Sequence, residues 1–130
     1  LFKQAGWTTT QYGEFYFVDG VGFVHAALNR LGKTYGGKTA EASIANDAVF
    51  DIAVGHSHIP QVRRAPKIGP QQYVTVVNLG CALPQNHIEN YAMHTTTGWG
   101  YGVNELFIQE NSIQSVKFTS MIELEKLYGK

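Results

Sequence analysis

Between Phe15 and Val24 the chain reads FYFVDGVGFV, two runs of aromatic and β-branched residues joined by Asp19-Gly20. Asp-Gly is the pairing favoured at the two central positions of a type I′ turn, which closes a hairpin with a two-residue loop. The stretch therefore predicts a β-hairpin whose second strand carries Phe23 and Val24 and ends at or near His25. Further along, AEASIANDAVF (40–50) places Ala42, Ala45, Ala48 and Val49 at helical spacing and predicts a short amphipathic helix. DIAVGHSH (51–58) reads as a buried strand that breaks at Gly55, and YVTVVNLG (73–80) as the next strand. RRAPKIGPQQ (63–72), with Pro66, Gly69 and Pro70, reads as the loop between them.

The remaining third is patterned at its end only. Residues 86–102, with His94, three threonines and WGYG, receive no element. ELFIQENSIQSVKF alternates and predicts a second hairpin turning near Asn111. Ser120 and Glu123 form a capping box ahead of IELEKLY, and Gly129 stands at the C-cap position. Strands outnumber helices and are separated mainly by turns, so the expected fold is a mixed α/β sandwich, a mixed sheet with few helices, rather than a doubly wound parallel sheet. No repeat, low-complexity tract or charge block marks a second domain. Residues 1–130 read as a single domain or, because the chain opens at Leu1 without an initiator methionine, as the C-terminal fragment of one.

Composition narrows the function classes. With 44% hydrophobic and 15% charged residues a real core can form, as in an ordinary globular domain. Ten basic and ten acidic residues cancel, which leaves no global field to attract nucleic acid or an anionic membrane. A phosphate-bearing ligand must be attracted locally, and nucleic acid enters only as a substrate. No apolar run approaches the ~20 residues of a membrane-spanning helix, so no membrane partner is expected. The lone Cys81 excludes an internal disulfide framework, leans the reading towards the cytoplasm, and is taken as a small buried residue because nothing identifies an activating partner for it.

Two motifs compete for the chemistry. GKTYGGKT, Gly32 to Thr39, fits the phosphate-loop pattern G-x-x-x-x-G-K-[ST]. A phosphate loop must follow a buried strand, yet Leu28, Asn29, Arg30 and Leu31 are too polar for one, so nucleotide binding is the lesser alternative. The preferred reading is a flexible surface connection with Lys33 and Lys38 in water. The second motif is VGHSHIP (54–60), where His56 and His58 leave a strand two residues apart. Extended backbone would aim both imidazoles to one side, as ligands of neighbouring metal ions. His25 lies at the end of another strand and completes a candidate three-imidazole site, whereas His87 and His94 fall in loops and are expected in solvent.

The order FVHAAL, DIAVGHSHIP, YVTVVNLGC resembles the C-terminal part of the calcineurin-like metallophosphoesterases, with their strand-end V-H, their strand-end G-H-x-H and a strand closing in an N-x-G-[SC]-like turn. The similarity runs from about Phe15 to Cys81, and GWGYGVNELFI is a weaker continuation. The resemblance implies part of a metallophosphoesterase α/β sandwich and hydrolysis of phosphate mono- or diesters. His25 and His56 would be ligands of one divalent ion (Mn, Fe, Ni or Zn) and His58 a ligand of a second, the two about 3.5–4 Å apart around the attacking water. The family's earlier motifs, D-x-H, G-D and G-N-H-[DE], are absent from the chain. The resemblance therefore implies that an N-terminal half upstream, or a partner chain, completes the site, and that this chain alone is not an efficient enzyme. The alternative is a catalytically inactive binding or structural module that keeps the fold.

Overall fold

The Asp19-Gly20 turn forms as its residue types dictate. Asp19 at φ 46° and Gly20 at φ 80° join β1 (Tyr16–Val18) to β2 (Val21–Val24), with Val18 opposite Val21. The computed structural model of the chain describes residues 1–70, 72–94 and 98–129. The expectations that touch Gln71 and the three threonines at 95–97 lie outside the described residues.

From β2 the chain passes through α1 (Ala40–Asp47) to β3 (Ile52–Val54), then β4 (Gln61–Pro66) and β5 (Tyr73–Asn78). These strands build one five-stranded mixed sheet in the order β1-β2-β3-β5-β4. The centre is parallel: Gly22 lies beside Ile52 and Ile52 beside Val76, while β1 and β4 run antiparallel at the two edges. After a 3₁₀ turn at Asn90–Ala92, β6 (Gly102–Gln109) and β7 (Ser112–Ser120) form a separate antiparallel hairpin through Glu110 and Asn111, both at positive φ. α2 (Met121–Tyr128) follows, with the Ser120 hydroxyl accepting from the Glu123 N–H as its capping box predicts. Gly129 does occupy the C-cap, but with φ −68° it uses none of glycine's left-handed freedom. The chain is thus a mixed α/β protein with few helices.

Side chains alternate across the sheet and so define two cores. Val24, Ile52, Val54, Val74 and Val76 face Ile44 and Ala45 of α1. Val21 and Val77 face the other way, onto Ile113, Leu106, Ile108 and Val116 of the β6-β7 hairpin. Each such aliphatic side chain contributes about 1.5–3 kcal/mol on full burial. Between the layers the buried Asp51 carboxylate accepts from the Thr75 N–H, the Ile113 N–H and the Ser112 hydroxyl at 2.7–2.9 Å, pinning the hairpin turn beneath the start of β3.

Two expectations are corrected. Residues 63–66, read as loop, are paired strand: Arg63 lies beside Val76 and Pro66 beside Tyr73. β4 is an edge strand, where proline costs no central ladder bond and exposed arginines are tolerated. Only Lys67 onward turns back, with the Lys67 N–H donating to the Gln72 carbonyl. α1 forms where predicted but buries Ala40, Glu41, Ile44 and Ala45; Val49 is exposed beyond its end. The short alanines gave too little contrast to fix the face.

Candidate metal centre

β2, β3 and β5 run parallel, so their C-terminal ends gather at one margin of the sheet, the usual place for a ligand site in open α/β sheets. His25 is the first residue past β2, and Gly55-His56-Ser57-His58 follows β3. The Gly55 N–H donates to the His25 carbonyl at 3.2 Å, keeping the two segments adjacent beyond the last strand pair. Both His25 and His56 are exposed, and His25 Nε2 lies 3.3 Å from His56 Nδ1 with the rings nearly perpendicular, at 79°. One nitrogen can donate its proton to the other across that gap. Alternatively, both lone pairs can address one cation, since two nitrogens bound at 2.0–2.1 Å to a tetrahedral ion are about 3.3–3.4 Å apart.

His58 reaches the same region by a different route from the one expected. The backbone is not extended at 56–58; it turns, and His58 takes φ 58°, in the left-handed region that non-glycine residues seldom occupy. The Gly100 N–H holds the His58 carbonyl at 2.9 Å, and the Trp99 ring lies edge-on to the imidazole, centroids 4.3 Å apart. His58 Nδ1 is buried and has no hydrogen-bond partner. Burial, then the positive charge that His25 and His56 would carry when protonated, pushes the His58 pKa below its ordinary value. The shift favours the neutral ring, the form that binds metal.

Beneath the turn lies a buried polar cluster that sequence reasoning did not find. Glu41 in the first turn of α1 and Asn78 at the end of β5 are 3% and 2% exposed, burial that only hydrogen bonding makes tolerable for such side chains. Asn78 Nδ2 donates to Glu41 Oε1 at 2.7 Å and contacts Ser57 Oγ, whose hydroxyl also reaches Glu41 at 3.4 Å. Asn78 Oδ1 accepts from the Gly80 N–H. The cluster ties helix, histidine turn and strand end together beside a small cavity that His56 also lines. Its spacing of three and four residues from Ile44 and Ala45, which sets it on their helix face, was the available signal for Glu41.

Other candidates resolve as local structure. Among the described residues no group of three or more His, Cys, Asp or Glu side chains is arranged to hold one ion. His87 is exposed beside Glu89, and His94 is exposed. Cys81 is buried, and its backbone bonds both Gly100 and Gly102. In the Gly32–Thr39 stretch the Gly32 N–H is taken by the Asn29 carbonyl, and the Asn29 side chain accepts from the Leu31 and Lys33 N–H groups. Those bonds close the turn at the start of the stretch, and Lys33 and Lys38 are exposed. An open cavity of about 680 Å³ between α1, Phe15 and Phe50 contains none of the three histidines.

Fold and site together define a mixed α/β protein with imidazoles clustered at the C-terminal margin of parallel strands. Compared with known protein families, with curated proteins and with solved structures, the chain matches none.

Proposed function

We propose that the chain carries part of the two-metal centre of a phosphoester hydrolase of the calcineurin-like metallophosphoesterase type. The observation that supports this most is the 3.3 Å approach of His25 Nε2 to His56 Nδ1, the spacing of two ligands on a single ion. The unpartnered Nδ1 of His58 supports a second position nearby. Divalent cations such as Mn, Fe, Ni or Zn would supply charge to hold phosphate oxygens and a hydroxide at neutral pH. The chain's own part is to fix the donors: Gly55 N–H sets the approach of the first pair, and Glu41, Ser57 and Asn78 brace the turn from which His56 and His58 project. Trp99 covers one side of the His58 ring. A complete centre requires carboxylate and further imidazole donors from a segment or chain beyond these residues. The substrate is a phosphate mono- or diester.

Titrating the intact chain with Zn²⁺ by calorimetry, and measuring bound Mn, Fe, Ni and Zn after purification, tests the reading. Binding is expected in the wild type, with at least a tenfold loss in His56→Ala and a smaller loss in His58→Ala. Metal uptake indifferent to both substitutions defeats the proposal and leaves a metal-free binding module.

A further inference from the structure

The histidine cluster is bordered by aromatic rings at both ends. Tyr12, 61% exposed, tilts against His25 at 5.8 Å between centroids. At the far end Trp99 meets His58 at 4.3 Å and has Tyr101 behind it at 6.3 Å. Contacts therefore run from Tyr12 through His25 to His56, and from His58 through Trp99 to Tyr101.

Trp99 is held there by more than its own packing. Its neighbour Gly100 donates to the His58 carbonyl and accepts from the Cys81 N–H, and the Gly102 N–H donates to the Cys81 carbonyl. A Cβ at Gly100 would stand 2.3 Å from Pro60 Cγ, so the Trp99 segment lies against the Pro60 ring at the end of GHSHIP with no room for a side chain between them. Tyr101 is anchored in turn by its hydroxyl, which donates to the His87 carbonyl at 2.6 Å. A large ring is thus clamped at a fixed place beside the imidazoles yet remains only half-buried. Packing alone does not call for that arrangement, because an aliphatic side chain would cover His58 as well. An indole that stays partly exposed keeps aromatic surface within reach of solvent, and such surface stacks planar rings with little regard to their substituents.

Building on the metal-centre reading above, we propose that Trp99, with Tyr12 on the opposite flank, determines specificity for phosphoesters that bear a planar aromatic group on the ester oxygen side. The phosphate addresses the histidine end, and the ring of the alcohol portion stacks on the indole. An aryl phosphate and a nucleotide share this chemistry. Lys33 and Lys38 lie outside the aromatic row, so the selectivity comes from stacking rather than from charge.

Calorimetric titration of the intact, Zn²⁺-loaded chain separates the possibilities. The probes are phenyl phosphate against ethyl phosphate, and adenosine 5′-monophosphate against ribose 5-phosphate. The aromatic member of at least one pair is expected to bind about tenfold tighter, and the pair that shows it tells an aryl ester from a nucleobase. At Zn²⁺ concentrations that saturate each variant, Trp99→Ala is expected to erase that ratio and Trp99→Phe to keep most of it. Equal binding within both pairs by a chain that holds Zn²⁺, or a ratio untouched in Trp99→Ala, overturns the inference and spares the metal reading. A chain that takes up no Zn²⁺ overturns both.

Discussion

His58 combines three properties that seldom coincide in a structural histidine: a left-handed backbone, a buried Nδ1 without a partner, and a pKa driven down by burial. The linkage consequence has a definite sign. The unfolded chain protonates this imidazole near its ordinary value of about 6.5, whereas the folded chain resists until lower pH. As pH falls through that value the unfolded state binds the proton first, and the metal-free chain loses stability. The loss continues until pH passes the lowered folded value, below which both states carry the proton and the slope vanishes. Urea midpoints measured in chelator between pH 7.5 and 5 are therefore expected to fall on acidification. His58→Asn, which suits the left-handed backbone, is expected to flatten the curve. An equally steep curve in the variant removes His58 as its source. The cluster of imidazoles was visible in the GHSH spacing and in the strand end at His25. Its geometry was not, because spacing carries no information about whether the backbone stays extended, and here it turns. Glu41 escaped for a related reason: an acid in the first turn of a helix is ordinarily read as solvated and dipole-stabilised, and only the tertiary position of Asn78 shows that it is buried.

Among the elements, those with strong local chemistry were legible. Asp19-Gly20, the alternation of β6 and β7, and the Ser120-Glu123 cap each specify structure through nearest neighbours, and each forms as expected. β4 was hidden because its identity is supplied by a partner. Ala65 is its one buried position, its arginines face outward, and β5 provides the hydrogen bonds. Residues 86–102 received no element from the sequence and hold the segment that meets His58. That segment can be tested by its glycine. Gly100→Ala would set a methyl against Pro60 Cγ and Cδ at less than contact distance, so either the GHSHIP turn or the Trp99 segment must move. A loss of about 1–3 kcal/mol is expected from overpacking, read as the urea midpoint. In a Trp7→Phe background, the near-ultraviolet dichroism of Trp99 should weaken with it. An unchanged aromatic signal would show that Trp99 does not depend on this contact.

Across the whole molecule, the helix and the β6-β7 hairpin cover opposite faces of one sheet, and the candidate centre sits where three parallel strands end. Asp51 and Ile113 lie at the other end of β3, so the tie that holds the layers together is distant along the strand from the tie that holds the histidines. This separation predicts that stability and metal binding can be perturbed independently. Ile113 is fully buried against Val21 and Val77, and its N–H is one of the three donors to Asp51. Ile113→Ala keeps that backbone donor and removes only the packing, which is expected to cost about 2–5 kcal/mol. A two-stranded hairpin has little stability alone, so the loss should spread through the sheet, and unfolding followed by far-ultraviolet dichroism and, in the Trp7→Phe background, by Trp99 fluorescence should remain a single coincident transition. Under conditions where the variant is still folded, its Zn²⁺ affinity should match that of the wild type. Two separated transitions would mean that the hairpin melts apart from the sheet, and a fall in Zn²⁺ affinity within the folded baseline would mean that packing beneath β3 sets the imidazole geometry at its far end.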